Sequence, residues 1–162
     1  MNADEPCDGS ACCTGWCTFA DLGTACDDGD VCTAVSACNA THQCQGALSG
    51  PPSSVTAAFS GTSLTWPADI QATGYDVVMG SLDLLRATGG NFSIATAECE
   101  ADNAEATSVD LGWFTPPPGT AYFFLVRGVN CTLQGSFEEP GDVTQAGPRD
   151  IEIFGSGVSC VP

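Results

Sequence analysis

The stretch LGWFTPPPGTAYFFLVRGVN, residues 111–130, carries the strongest structural signal in the chain. Its first part ends in three prolines and a glycine, which are turn residues. The run TAYFFLVRGVN that follows is rich in aromatic and β-branched residues. Such a run after a turn is typical of a β-strand, so we predict a strand within residues 120–130.

Similar runs lie on both sides of this stretch and are separated by turn residues: SVTAAFSG, TSLTWPA, GYDVVMG, ATSVDLGW and RDIEIFG. Their number and spacing predict an antiparallel β-sandwich. The interval from Ser81 to Ala106 breaks this rhythm, and we expect a long inserted loop there, with a short helix at SLDLLRATGG. The predicted fold class is mainly β.

The N-terminal part has a different texture, because most of the eleven cysteines lie there. Its cysteines are Cys7, Cys12, Cys13, Cys17, Cys26, Cys32, Cys38 and Cys44. A run rich in glycine, proline and serine follows, which suits a short, semi-rigid linker. We therefore predict a disulfide-rich, irregular head at 1–46, a linker at 47–54 and the sandwich at 55–162.

The cysteines of the head are expected to form disulfides and not a zinc site. Zinc sites prefer cysteine pairs two to four residues apart, whereas five residues separate each of the four cysteines from Cys26 to Cys44. A head of about 45 residues with few large apolar side chains also needs covalent support to fold. Four bridges are possible, and the sequence does not choose among their connectivities.

Asp27, Asp28 and Asp30 surround Gly29 in the head. Several carboxylates on a tight turn are a possible calcium site. The run is much shorter than a twelve-residue calcium loop, and a solvated acidic turn is the simpler interpretation. No firm metal site and no other cofactor are predicted.

The chain has 162 residues and a formal net charge of −17, with twenty acidic residues against three basic ones. This charge disfavours nucleic acid and anionic membranes as partners. No apolar run approaches the roughly 20 residues of a membrane span, so no membrane insertion is expected. The cysteine content predicts an oxidising, extracellular or cell-surface location. The first residues have neither the basic start nor the apolar stretch of a signal peptide. We therefore expect that Met1 is an added residue or that the chain is trimmed from a longer precursor.

Catalytic chemistry is not indicated. The one histidine, His42, lies in the head, so no Ser/His/Asp or Cys/His set can be argued in the tail. Glu98 with Glu100, and Glu138 with Glu139, are carboxylate pairs that chance explains in so acidic a protein. We expect a protein that is not an enzyme.

Two stretches resemble known families. CCTGWCTFADLGTAC resembles the end of the disintegrin-like module of ADAM-type metalloproteases, and GTACDDGDVCTAVSACNATHQCQG resembles cysteine-rich repeats of secreted myxobacterial-type proteins. Together these matches cover residues 12–46. The chain has no HExxH helix, so the resemblance implies a module used for adhesion or spacing and not a protease activity.

The tail resembles fibronectin type III domains. Leu111, a Pro-Gly-Thr turn, then Tyr122, Val126 and Asn130 are similar to the E and F strands of that family. Residues 55–162 are also similar to C-terminal segments of secreted myxobacterial-type proteins. The resemblance implies that Tyr122 packs at a corner with its hydroxyl bonded to the backbone, and that Trp66 lies in the core.

That topology also constrains the last three cysteines. Cys99 before the E strand and Cys131 after the F strand would lie at the same pole, where a bridge can join them. Cys160 would follow the G strand at the opposite pole, beyond the Cα separation of about 7 Å that a disulfide tolerates. Cys160 is therefore our candidate for an unpaired or interchain cysteine.

These observations favour a non-enzymatic extracellular adhesion or structural protein that self-assembles into a filament or appendage through non-covalent β contacts. Its partners would be other copies of itself, another extracellular protein or a glycan. The alternative is a carbohydrate-binding or spacer module of a secreted hydrolase. In that case Trp16 and Trp113 are the candidate glycan contacts, because sugars stack on exposed aromatic rings.

Overall fold

A computed structural model of the chain describes residues 12–14, 18–30, 32–48, 52–131, 133–139 and 148–160. The chain divides into two compact units, Met1–Ser49 and Gly50–Pro162. The boundary between them falls inside the predicted linker. No helix within the described ranges is long and apolar enough to cross a membrane.

The first unit contains a three-stranded antiparallel sheet. Its strands β1 (Ala25–Cys26), β2 (Thr33–Cys38) and β3 (Cys44–Leu48) lie in the order β1-β2-β3. Disulfides join Cys12 to Cys38 and Cys26 to Cys44, with Cα separations of 5.5 and 5.9 Å. Cys13 and Cys32 are disulfide-bonded as well. Where side-chain burial is described in this unit, the fully buried residues are the disulfide-bonded pair Cys12 and Cys38.

The second unit contains two antiparallel sheets. The smaller sheet has the order β4-β5-β8 and consists of β4 (Ala58–Ser60), β5 (Ser63–Thr65) and β8 (Ser108–Asp110). The larger sheet has the order β10-β9-β6-β7 and consists of β6 (Gly74–Ser81), β7 (Thr96–Ala104), β9 (Tyr122–Asn130) and β10 (Leu133–Gln134). The mainly β, disulfide-rich fold predicted from the sequence is confirmed.

A hydrophobic core joins the two sheets. Trp66, which follows β5, packs edge-to-face against Tyr75 of β6, with ring centroids 5.5 Å apart. The buried members of this cluster are Leu64, Trp66, Tyr75, Val77, Leu111 and Val126. The phenolic oxygen of Tyr75 accepts a hydrogen bond of 2.7 Å from the backbone N–H of Asp69. The resemblance had assigned this role to Tyr122, whose hydroxyl has no hydrogen-bond partner among the described residues.

In the part of the second unit that the structure describes, three short helices accompany the sheets: α1 (Leu82–Ala87), α2 (Phe92–Ala95) and α3 (Arg149–Gly155). The side chain of Ser81 caps α1 and that of Asn91 caps α2, each accepting a backbone hydrogen bond from the first turn. Phe92 and Ile153, from α2 and α3, pack with Val78 in a second buried cluster. The strand β6 contributes to both clusters and is therefore buried along almost its whole length.

Two sequence-based expectations for the C-terminal part are wrong. RDIEIFG was predicted as a strand because its two isoleucines alternate, but it forms the helix α3. In the helix only Ile153 is buried, whereas Ile151 is exposed. Cys160 is not unpaired, since it forms a disulfide with Cys99 of β7 at a Cα separation of 5.1 Å. The physical reason is shared: the chain after residue 148 turns as a helix against the large sheet and does not run to the far pole. The expected Cys99–Cys131 bridge is wrong for the same reason, because Cys99 is bonded to Cys160. Cys131 is also disulfide-bonded.

The predicted insertion at Ser81–Ala106 contains more structure than a loop. Its beginning forms α1, as expected, but its second half forms the nine-residue strand β7. The strand β7 lies at the edge of its sheet, and most of its side chains are partly or fully exposed. Its sequence, TAECEADNA, therefore shows no alternation of apolar residues.

Candidate interaction surface

An open apolar groove lies where the two sheets of the second unit separate. On β9, Tyr122, Phe124 and Val126 alternate along the strand and share one face. Val126 belongs to the core, whereas Tyr122 and Phe124 lie beyond it and line the groove. We call this the aromatic groove; its volume is about 330 Å³ and its lining is Phe59, Gly61, Thr62, Leu111, Phe114, Pro116, Tyr122 and Phe124.

The rings of the groove hold one another in edge-to-face contacts. Phe114 packs against Tyr122 with centroids 4.8 Å apart and against Phe124 at 6.3 Å. Phe59 of β4 meets Phe124 at 5.6 Å. These distances lie in the range preferred by aromatic pairs, so the groove is a pre-formed surface.

The aromatic groove is also exposed and uncharged. Phe59 retains 59% of its accessible surface, although it is a large apolar side chain. No residue of the lining is charged, and Thr62 and Tyr122 are the residues with polar side chains. Asp110 lies at the margin, where its carboxylate accepts hydrogen bonds from the Thr62 hydroxyl and the Gly112 N–H. An apolar surface of this kind on a protein is characteristic of a binding site.

One of the two candidate glycan contacts lies beside the groove. Trp113 is 64% exposed, and its ring meets Phe114 edge-to-face at 5.6 Å. Trp16 lies outside the described residues. The sequence points to Trp113 but not to Phe59, Phe114 or Phe124, and the fibronectin-like resemblance implies a corner position for Tyr122. For Phe114, Tyr122 and Phe124 the signal was the density of aromatic residues on both sides of the three prolines at 116–118. Phe59 lies far from this stretch in the sequence and has no such signal.

The acidic turn of the head uses its carboxylates internally. Asp27 accepts a hydrogen bond from the Gly29 N–H, and Asp30 accepts one from the Cys32 N–H. The two oxygens of Asp28 accept from Asp30 N, from Thr33 Oγ1 and from Gly46 N, at 3.2, 2.9 and 2.7 Å.

These contacts lower the pKa of Asp28 and occupy the carboxylate oxygens that a cation would need. Desolvation acts to raise the pKa of Asp28, but hydrogen bonds to Asp30, Ser36, Thr33 and Gly46 outweigh it and lower the pKa below the ordinary value of 3.8. Within the described chain, Asp27, Asp28 and Asp30 do not bring three ligand atoms together. The three carboxylates accept hydrogen bonds within the head, and we assign no calcium ion to them.

The carboxylate pair on β7 behaves differently. Burial raises the pKa of Glu100 above its ordinary value of 4.5, and the neighbouring Glu98 raises it further by charge repulsion and by a hydrogen bond. One oxygen of Glu100, Oε1, is buried without a hydrogen-bond partner among the described residues. Both residues belong to an edge strand, with no described histidine or third carboxylate in reach as a ligand.

His42 packs against an aromatic ring of the head. Its ring stacks on Phe19 with centroids 3.9 Å apart and an interplanar angle of 12°. It belongs to no cluster of metal-ligating groups among the residues that the structure describes. The cysteines that do cluster, around Cys12, Cys26 and Cys44 and around Cys99 and Cys160, are bonded in disulfides. The prediction of disulfides is confirmed for these residues.

Comparisons with protein-family models, with curated proteins and with solved structures found no match to this chain.

Proposed function

We propose that the protein is a non-enzymatic, extracellular structural or adhesion protein whose second unit associates with other copies of the chain. The observation that carries this proposal is the aromatic groove, an uncharged, exposed and pre-organised surface on a molecule with a net charge of −17. Apolar groups gain free energy when they leave water, and an acidic molecule that spares one surface from charge provides a place for contact. The disulfides of both units support an extracellular location.

The fold supports the fibronectin type III-like interpretation, which we propose for the second unit. The described residues of this unit form seven strands. In chain order, the first, second and fifth form one sheet, and the third, sixth and seventh lie in the other. This division is that of immunoglobulin-like sandwiches, which commonly serve in cell-surface proteins. The fourth strand, β7, extends the larger sheet beside β6.

Strand edges are less suited to association than the sequence predicts. The edge strands β4 and β8 have three residues each, and β10 has two. The long edge strand β7 carries Glu98, Glu100 and Asp102, and its register with β6 shifts at three places. Short length, like charges and bulges are features that keep sheet edges from pairing. We therefore propose that copies meet through side chains of the groove and not through β-pairing.

Association is tested by light scattering on the full chain over a concentration series, without reductant, followed by electron microscopy of the concentrated sample. The proposal expects the mean mass to rise with concentration and elongated assemblies to be visible. A constant monomer mass over the whole series would refute it. Activity assays are not needed for this decision, because the mass alone reports association.

A second candidate function, carbohydrate binding, is favoured by Trp113. Its exposed ring beside the groove is the geometry on which a sugar face stacks. Affinity electrophoresis through gels containing soluble polysaccharides tests it. Retardation that disappears in Trp113→Ala supports this second candidate, and unchanged mobility in every polysaccharide rejects it.

A further inference from the structure

The helix α3 exposes its apolar side chains. Ile151 is 74% and Phe154 69% exposed, and these two residues are three apart, on one face of the helix. Val158, just beyond the helix end, is 41% exposed. We call Ile151, Phe154 and Val158 the helix stripe.

The polar side chains of the same helix are turned inward. Asp150 accepts hydrogen bonds from the Phe137 N–H at 2.8 Å and from the Ser136 hydroxyl at 2.5 Å. Glu152 accepts one of 2.7 Å from the Phe92 N–H. A surface helix ordinarily shows the opposite arrangement, with polar groups in water and apolar groups in the core. The stripe is thus apolar surface that a partner would remove from water.

The net charge of the chain restricts where two copies can touch. Two copies of this chain repel each other, so contact between them is least costly where neither surface carries a carboxylate. The aromatic groove and the helix stripe both meet this condition, since no residue of either is charged. From these observations we propose that the aromatic groove of one copy receives the helix stripe of a second copy, with Phe154 as the central side chain. This inference rests on the proposed self-association and names its two surfaces.

The two surfaces differ in shape, and this sets the geometry of assembly. The groove is concave and the stripe is convex, so a stripe fills a groove better than it packs on another stripe. A contact between two different patches is heterologous, and it continues from copy to copy unless a ring closes. Each copy therefore offers one groove and one stripe and adds to the end of a growing chain.

Single substitutions in the full chain separate the two surfaces. Phe154→Asp places a charge on the stripe, and Phe59→Asp places one in the groove. Since Phe59 touches Phe124, Thr62→Glu serves as a second groove variant that leaves all rings in place. We expect each to weaken association by about tenfold or more, as at a central interface position. Ile70→Asp, at a position that is 97% exposed and outside both surfaces, is the matched control and should associate like the unmodified chain.

Mixing the variants tests the head-to-tail arrangement. Sedimentation velocity of Phe154→Asp mixed with Thr62→Glu should show a dimer, because one intact groove meets one intact stripe, while each variant alone is monomeric. If the unmodified chain associates and the stripe and groove variants still do, the inference is wrong although the proposed self-association stands. If only Phe154→Asp abolishes association, or the mixture stays monomeric, the groove is not the receptor. A monomeric unmodified chain overturns both.

Discussion

At the residue scale, the hydroxyl groups of two tyrosines have different tasks. Tyr75 accepts a hydrogen bond from the Asp69 N–H inside the core region, whereas Tyr122 lines the open groove. Tyr75→Phe should therefore lower the free energy of unfolding of the second unit by about 1 kcal/mol, since one partly buried hydrogen bond is lost. Tyr122→Phe is the matched control and should leave that free energy unchanged. Urea denaturation of both variants measures the difference, and the reverse ranking would restore the corner role to Tyr122.

The carboxyl group of Glu100 gives a pH-dependent prediction. Its pKa is raised by burial and by Glu98, so the folded state binds the proton more tightly than the unfolded chain. Stability then decreases as the pH rises from the ordinary value of 4.5 through the raised value. Glu100→Gln should raise the melting temperature at pH 7, which corresponds to a gain of less than about 1 kcal/mol in the free energy of unfolding. This gain should vanish below pH 4.5.

Glu105→Gln removes the same charge from an exposed residue and controls for net charge. An equal gain in both variants at pH 7 would show that the local environment of Glu100 is not the cause. Thermal denaturation at several pH values between 4 and 7 provides the measurement.

At the scale of elements, the turn that contains Asp28 joins the beginning of β2 to β3. Both oxygens of this carboxylate accept hydrogen bonds, and its pKa is lowered. A carboxylate with a lowered folded pKa stabilises the head above the ordinary value of 3.8, and this contribution is lost as the pH falls through the lowered value.

Asp28→Asn should accordingly increase hydrogen exchange at the Gly46 amide, which loses its charged acceptor. Asp27→Asn, whose carboxylate accepts from the nearby Gly29 N–H, should leave the Gly46 amide protected and is the control. If both variants exchange alike, the contact between Asp28 and β3 does not hold the head.

The disulfide between Cys99 and Cys160 ties β7 to the chain that follows α3. The two cysteines are 61 residues apart, so the bond restricts a long segment of the unfolded chain. Replacing both by alanine should cost about 2–4 kcal/mol of unfolding free energy in the second unit. Denaturation without reductant measures the loss, and an unchanged midpoint would mean that the segment after α3 is held by packing alone.

The elements also show how far the sequence predicts the fold. The strands β4, β5, β6, β8 and β9 lie in alternating or apolar runs between turn residues, and these runs were predicted as strands. The strand β7 was missed because its polar sequence carries no strand pattern. Its extended form depends on pairing with β6, which the sequence does not show. The helix α3 was predicted as a strand, because Ile151 and Ile153 alternate and the inward hydrogen bonds of its acidic residues depend on distant partners.

The candidate site was less predictable than the fold, for a related reason. The sequence pattern shows that Tyr122 and Phe124 share a face of β9, but not where the sheets separate along that face. Phe59 comes from a distant part of the chain and Phe114 from before the proline turn, and the fold brings the first against Phe124 and the second against Tyr122. The pairing of Cys160 with Cys99 depends in the same way on the path of the chain after Pro148.

At the scale of the whole molecule, charge and apolar surface oppose each other. The net charge of −17 drives copies apart, whereas the aromatic groove and the helix stripe favour contact. Salt screens the repulsion, with a Debye length that falls from about 30 Å at 0.01 M to about 3 Å at 1 M ionic strength, and leaves apolar attraction in place. Association that is apolar in origin must therefore strengthen with salt, while association through ion pairs must weaken.

The most direct test is sedimentation velocity of the full chain at one high concentration, in low and in high sodium chloride and without reductant. We expect monomers at low salt and larger species at high salt, which return to monomers on dilution. Monomers under both conditions, or assemblies that dissociate when salt is added, would contradict it.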